Sequence, residues 1–161
     1  MMLHRLTALA ILALIPFQAV AQTNIALGGI TADPTAPVEI TADQLTVDQD
    51  SRSATFSGSV LIGQGSLRVS AETVEVVYDE GTGQIARLTA SGGVTFATET
   101  EAAEAQNAVY DLLAQELTLT GDVLLTQGNS ALSAESMVVN LQTGTARMDG
   151  RVRTVFEQGA N

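Results

Sequence analysis

The sequence has no cysteine and no tryptophan, and its 161 residues include a single histidine. All seven basic residues are arginines, so lysine is absent as well. Without cysteine the chain forms no disulfide and has no thiolate for zinc binding or nucleophilic catalysis. Without lysine it lacks the amine that a Schiff base or a P-loop needs. The chemistry that remains is that of carboxylates, hydroxyls, amides and arginines.

The single histidine lies in an N-terminal segment that has the features of a secretory signal. His4 and Arg5 form a short basic start, an apolar run follows over residues 6–17, and small residues end the segment at position 21. An apolar run of this length is shorter than the roughly 20 residues that span a bilayer. We therefore predict a signal peptide cleaved before Gln22. The mature chain would lack histidine, which excludes Ser-His-Asp and Cys-His catalysis.

Composition and charge limit the organisation and the partners of the chain. The length fits one domain. The net charge of −11 repels nucleic-acid phosphates, so no nucleic-acid partner is expected, and the residue types favour no metal or cofactor. The predicted segments are a cleaved signal peptide at 1–21, a flexible leader rich in glycine and proline at 22–37, a folded domain at 38–156, and a short tail at 157–161.

Four segments of the predicted domain share one pattern, which is the most informative feature of the sequence. Each opens with alanine followed by Asp, Glu or Gln, at Ala42-Asp43, Ala71-Glu72, Ala105-Gln106 and Ala134-Glu135. Each closes with Gly-X-Val, at Gly58-Ser59-Val60, Gly92-Gly93-Val94, Gly121-Asp122-Val123 and Gly150-Arg151-Val152. The opening Ala precedes the closing Gly by 16 residues in three copies and by 21 in the second. We interpret the difference as a five-residue insertion around Asp79 to Gly83.

Apolar residues alternate within each copy, as in half-buried strands. The parity of the alternation changes after each opening alanine, which predicts a bulge or corner at that step. Residues 99–117 are rich in helix-forming Glu, Ala, Gln and Leu, yet they keep the spacing of the other copies, so we predict strand there. The sequence therefore predicts an all-β, repeat-built fold of two facing antiparallel sheets.

Several motifs of the chain resemble those of the periplasmic lipopolysaccharide-transport bridge proteins, the LptA or OstA-like family. The similar segments, which together extend over roughly 38–156, are Pro37 to Asp43, Thr55 to Val60, Gln64 to Val69 with Ala71-Glu72, Ala105 to Tyr110, and Leu117 to Asp122. The resemblance implies a twisted, V-shaped β-jellyroll that is open at both ends. It also implies a non-enzymatic periplasmic function, in which the protein bridges inner-membrane and outer-membrane components and guides lipid acyl chains through an apolar interior.

The resemblance further implies partners and site residues. The partners are lipopolysaccharide, the protein itself end to end, and the jellyroll domains of inner-membrane and outer-membrane lipopolysaccharide-transport proteins. The motifs place five residues on the lipid-facing interior, namely Val38, Ile40, Phe96, Tyr110 and Leu112. The repeat register adds Val60 and Ile62. No catalytic residue is expected.

Other interpretations remain open from the residues alone. Repeats near 29 residues also occur in β-solenoids, so a solenoid that binds or cleaves an envelope polysaccharide is the main alternative. A purely structural member of a transport chain is another. The acidic pairs at residues 48–50 and 79–80 could bind calcium, although we expect turns there. Arg147, Arg151 and Arg153 share one parity and could meet phosphate, although a solvated edge is the expected role.

Overall fold

The computed structural model describes residues 24–26 and 36–156, and these residues form antiparallel strands. The predicted signal peptide, the tail and most of the leader lie outside the described residues. In the described part of the chain, no helical segment has the length and apolarity needed to cross a membrane. The strands are β1 (Asn24–Ala26), β2 (Glu39–Thr41), β3 (Gln44–Asp48), β4 (Ser53–Gln64), β5 (Leu67–Tyr78), β6 (Ile85–Ala97), β7 (Glu101–Asp111), β8 (Glu116–Gln127), β9 (Ser130–Asn140), β10 (Thr145–Asp149) and β11 (Arg153–Phe156).

The strands form one unclosed sheet in which neighbours along the chain are neighbours in space. The central order is β4 to β9, and every pairing in the described sheet is antiparallel. At one edge β2 and β3 pair with the two halves of β4. At the other edge β10 and β11 pair with the two halves of β9, and β1 from the predicted leader pairs with β10. The all-β antiparallel prediction is confirmed.

A line of β-bulges crosses the sheet at the repeated Gly-X pairs. Gly58 and Ser59 of β4 lie opposite the single residue Glu72 of β5, and the same two-against-one pairing recurs between β6 and β7 and between β8 and β9. The first Gly of each pair has a positive φ of 79° to 85°. A Cβ at Gly92 would lie 2.5 Å from the Cβ of Glu72. Glycine is therefore required here both by its backbone angle and by the close approach of the neighbouring strand.

The bulge line divides the sheet into two walls that face each other. The strand segments on one side of the line form wall A, which comprises residues 39–41, 60–64, 67–71, 94–97, 101–105, 123–127, 130–134 and 153–156. The segments on the other side form wall B, which comprises residues 24–26, 44–48, 53–57, 73–78, 85–91, 107–111, 116–120, 136–140 and 145–149. One core contains side chains of both walls, including Val60, Val123 and Leu125 of wall A and Val74, Leu119 and Met137 of wall B. The predicted pair of facing sheets is thus one sheet folded along its bulges.

The turns that join the strands of wall B share a second repeated feature. Asp48, Asp111 and Asn140 each end a strand and Asp79 directly follows one, and the four side chains accept hydrogen bonds from backbone N–H groups two or three residues later. Four residues after each of them, the chain has a positive φ, at Arg52, Gly83, Gln115 and Gly144. The segment from the Asp or Asn to the positive-φ residue therefore has the same length in all four turns, whereas the whole connection has six residues between β5 and β6 and four in the other three. The extra residues of the second copy thus lie on both sides of Asp79 to Gly83 rather than within that segment.

The stretch with high helix propensity is strand, as the repeat spacing predicts. β7 occupies residues 101–111 and pairs over most of its length with β6 on one side and β8 on the other. Its inward positions carry Ala103, Ala105 and Ala108, all buried. Long-range pairing on both sides overrides the local preference for helix.

Candidate functional site

The two walls separate into a narrow apolar cleft at the side opposite the bulge line. The cleft volume is about 60 Å³, less than half of the roughly 150 Å³ of a cavity that holds one benzene molecule. The lining from wall A and its flanking segment is Val38, Ile62, Gln64, Leu67, Val69 and Phe96, and the lining from wall B and its turns is Val74, Ile85, Leu88, Ala90, Ala108, Tyr110, Leu112, Leu117 and Leu141. We call the open side of this cleft the rim.

Strand alternation explains why these side chains point inward. On β4, Val60 and Ile62 are buried while Leu61 between them is exposed, and β6 repeats the pattern with Val94 and Phe96. On wall A the positions next to the bulge line, such as Val60 and Val94, are completely packed, and the cleft begins two residues farther out, at Ile62 and Phe96. On wall B the cleft extends up to Val74, Ala90 and Ala108, which lie two residues from the bulge line. The cleft is therefore a direct product of the repeat and of the fold at its bulges.

Five of the seven predicted lipid-facing residues line the cleft: Val38, Ile62, Phe96, Tyr110 and Leu112. Ile40 is half-buried and packs against the core from β2. Val60 is fully buried beside the bulge line, in the packed part of the interior. Whether any of the seven binds lipid remains a prediction.

Sequence reasoning missed ten of the fifteen side chains that line the cleft. The side chains that it missed are Gln64, Leu67, Val69, Val74, Ile85, Leu88, Ala90, Ala108, Leu117 and Leu141. For Val69, Val74 and Ala108 the signal was present, because they occupy the alternating apolar positions of the repeat. For Ile85 and Leu141 the position depends on how the chain returns to the rim at the turns of wall B, which alternation within a strand does not encode.

The cleft offers almost no polar chemistry. Among the lining side chains only Gln64 and Tyr110 carry polar atoms. Burial raises the pKa of the Tyr110 hydroxyl above its usual value, so this group is neutral at physiological pH. An apolar, uncharged cleft suits hydrocarbon, which gains from leaving water and needs no catalytic group.

The other candidate groups serve the fold. The Asp48 and Asp79 carboxylates accept backbone hydrogen bonds within their turns, and hydrogen bonds from Ser51 and Thr82 hold their pKa values below the usual range. Within residues 24–26 and 36–156, no three acidic or histidine side chains come together as a metal-binding group. Arg147 pairs with Asp149 and Arg151 with Glu135, both at 2.9 Å.

The edges of the sheet form a second candidate site. At the first edge, β3 is exposed along its whole length, and Leu45 and Val47 are 53% and 63% exposed although they lie on the inward face. The equivalent residues one strand pair farther in, Val74 and Val76, are fully buried. At the other edge, Val152 and Val155 beside and within β11 are also exposed. Leu45, Val47 and Val152 are exposed because the described sheet has no further strand beside them, whereas Val155 pairs with Ala131 on the outward face of β9.

Comparisons with known proteins agree with this fold. The sequence pattern of the family described as LptA/(LptD N-terminal domain) LPS transport protein matches residues 39–145. A curated protein of Rhizobium meliloti (strain 1021), named uncharacterized protein R00383, is 27% identical over 152 residues, which cover 87% of this chain and 82% of that protein.

A solved structure has the same architecture. The fold is similar to the crystal structure of LptH from Pseudomonas aeruginosa, described as the LptA homologous periplasmic component of the conserved lipopolysaccharide transport device. The TM-score is 0.71 at 17% identity, with 79% of this chain and 99% of that chain covered. The jellyroll predicted from the sequence is thereby confirmed. Because the family pattern covers more than half of the sequence, the chain belongs to the LptA/LptD N-terminal domain family of lipopolysaccharide transport proteins.

Proposed function

We propose that this protein is a periplasmic carrier that guides the acyl chains of lipopolysaccharide through the cleft between its walls. The observation that carries the proposal is the cleft itself, which is apolar, lined from both walls and located where the walls part. At about 60 Å³ it is too small for several acyl chains. Binding therefore requires the rim to widen, and the bulge line on the opposite side is the natural hinge. The protein supplies no chemical step in this function.

Transport across the periplasm requires more than one jellyroll length, and the edges of the sheet support end-to-end assembly. β3 presents unpaired backbone groups together with the exposed side chains of Leu45 and Val47. A strand of another jellyroll that pairs with this edge would bury those side chains and continue the interior. We propose that the partners are further copies of this protein and the jellyroll domains of the inner-membrane and outer-membrane transport components.

The antiparallel architecture argues against the main alternative, a β-solenoid that binds or cleaves an envelope polysaccharide. A β-solenoid stacks parallel rungs, whereas every pairing in the described sheet is antiparallel. A polysaccharide binder would also use exposed aromatic rings. Among the side chains whose exposure the structure describes, Tyr78 is the one exposed aromatic residue. Neither feature favours a glycan-binding solenoid.

Photo-crosslinking tests the proposed lipid path. A photoreactive residue at Phe96, which lines the cleft, should form covalent adducts with lipopolysaccharide in cells. The same residue at Asp122, which is exposed at the bulge line, should not. Circular dichroism and the exported fraction establish that both variants are folded and delivered. Failure of the folded Phe96 variant to crosslink, or equal adducts at both positions, would overturn the proposal.

A further inference from the structure

One buried carboxylate in the interior has no role in the fold or in the proposed function. Glu101 is the first residue of β7 and is only 4% exposed. It shares the inward face of that strand with Ala103 and Ala105. The Gln127 amide donates a hydrogen bond to its Oε1, whereas its Oε2 is buried and has no hydrogen-bond partner among the described residues. No ion pair of the described residues includes Glu101.

Glu101 belongs to a polar row on wall A at the rim. On β4, β7, β8 and β9 the inward position nearest the rim is polar, and these residues are Gln64, Glu101, Gln127 and Ser130. Each lies two residues from a buried apolar residue of the same face, namely Ile62, Ala103, Leu125 and Leu132. The facing side of the cleft, from wall B, is aliphatic at Ile85, Leu112 and Leu141. The rim therefore has one lip, on wall A, that is polar except at Leu67 of β5, and one apolar lip, on wall B.

Glu101 is not itself a lining residue of the cleft, but the register places it close to one. Ala103 pairs directly with Phe96, which lines the cleft. Glu101 follows on the same face two residues nearer the rim, a step of about 7 Å along the strand. A ligand that fills the cleft next to Phe96 and extends to the rim would pass this carboxylate.

An unpaired acceptor in such a place is complementary to a hydrogen-bond donor. A buried carboxylate oxygen without a partner has lost its hydrogen bonds to water and has formed none with the protein. A ligand that donates a hydrogen bond to this oxygen therefore binds more tightly than one that does not. Saturated hydrocarbon brings none. A hydroxyl group on an acyl chain would bring one donor at a fixed depth while the rest of the chain stays in apolar surroundings.

We propose that Glu101, oriented by Gln127, is a subsite that accepts a hydrogen bond from a hydroxyl group on the bound acyl chain. The carrier would thereby select hydroxylated acyl chains over unsubstituted ones. This inference rests on the proposed function, since it assumes that an acyl chain enters the cleft.

A pair of neutral probes tests the subsite. Methyl 3-hydroxytetradecanoate and methyl tetradecanoate differ only in the hydroxyl group, and neither carries a charge that Glu101 would repel. Each is titrated against the purified full chain loaded with a fluorescent fatty-acyl probe. We expect the hydroxylated ester to bind about tenfold more tightly, the gain from one hydrogen bond to a charged acceptor.

Two matched variants locate the source of the preference. Glu101→Leu should bind both esters equally, because the acceptor is gone and the apolar contacts remain. Glu104→Leu makes the same change three residues along β7, at an exposed position, and should keep the tenfold preference. If Glu101→Leu does not fold, Glu101→Gln keeps the shape of the side chain and should reduce the preference, since the acceptor loses its charge.

The outcomes separate this inference from the function on which it rests. Equal binding of the two esters by the wild-type chain, or a preference that persists in Glu101→Leu, overturns the subsite but leaves the carrier intact. Failure of both esters to bind overturns the subsite as well. Only when the Phe96 crosslink to lipopolysaccharide also fails does the proposed function fall with it.

Discussion

The bulge line and the rim are built from the same alternating strands, yet they have opposite packing. Beside the bulge line most inward side chains are fully buried and do not line the cleft, as at Val60, Val123 and Leu119. At the rim the inward side chains are half-buried or polar, as at Leu112 and Gln64, and the walls leave a cleft. Because the bulges bring the walls together along one side only, the fold can be stable at that side and adjustable at the other.

The largest expected effect comes from truncating a side chain beside the bulge line. Leu119→Ala should lower the free energy of unfolding by about 2–5 kcal/mol, because Leu119 is 1% exposed and its removal leaves a cavity between the walls. Leu112→Ala at the rim should cost about 1 kcal/mol, since its side chain is only partly buried. Urea unfolding of both variants measures the difference. Equal losses would show that the two sides of the interior are packed alike.

Two adjacent glycines allow the effect of the close contact between β5 and β6 at the bulge to be measured separately from the effect of a positive φ. Gly92 and Gly93 have similar positive φ values, 85° and 81°, but a Cβ at Gly92 would clash with Glu72 whereas a Cβ at Gly93 meets nothing within 4 Å. Gly93→Ala should cost about 1 kcal/mol, since Ser59, Asp122 and Arg151 adopt the equivalent conformation. Gly92→Ala should cost about 2–4 kcal/mol, because strain and overpacking add. Denaturant unfolding that finds the two losses equal would contradict the role of the close approach.

Because the β3 edge of the sheet is exposed, we predict that a charged substitution there weakens assembly without changing the fold. Val47→Glu places a charge on β3 and should weaken end-to-end association about tenfold. Leu113→Glu is the matched control, because Leu113 is 76% exposed in the turn between β7 and β8, away from both edges. Light scattering across a concentration series measures association. If the two substitutions have the same effect, the β3 edge is not the contact.

The smallest expected effect concerns the turns of wall B and depends on pH. Hydrogen bonds from the Thr82 hydroxyl and backbone hold the pKa of Asp79 below its ordinary value of 3.8. The ionised Asp79 therefore stabilises the fold fully above pH 3.8, and this contribution is lost as the pH falls through the lower, folded-state pKa. At neutral pH, Asp79→Ala should lower Tm by no more than about 4 °C. Thermal melts should show this difference narrowing in acid, and a difference that widens there would contradict the assignment.

Much of the fold could be predicted from the sequence because the repeat is regular. The spacing of Ala105 and Gly121 outweighed the helix propensity between them. The parity change after each opening alanine predicted a bulge or corner at that step, but the extra residue of each bulge lies in the Gly-X pair of the neighbouring strand. Local pattern alone does not determine burial at the edges. Leu45 and Val152 match the inward positions of other copies, yet they are exposed because the described sheet has no further strand beside them. Burial there depends on pairing rather than on sequence.

The site was less predictable than the fold, and Glu101 shows why. Its counterparts in the register of the other strands, Leu67 and Ser130, indicate an inward position, but a glutamate in an acidic chain is expected to face solvent. Only the structure shows that its carboxylate is buried at the rim. Similarly, Val60 and Ile62 are equivalent by alternation, and the width of the interior alone decides that one is packed core and the other lines the cleft.

The central claim is that the rim opens to admit lipid while the bulge line stays closed. The absence of cysteine allows spin labels on introduced cysteines at chosen pairs of exposed positions. The first pair consists of Asn129, in the turn between β8 and β9 on wall A, and Gln142, in the turn between β9 and β10 on wall B, both at the rim. The second pair consists of Thr120 and Leu124, which lie on either side of the bulge line on β8. On addition of lipopolysaccharide we predict a longer distance for the first pair and no change for the second. An unchanged rim distance in a complex shown to contain lipid would contradict the claim.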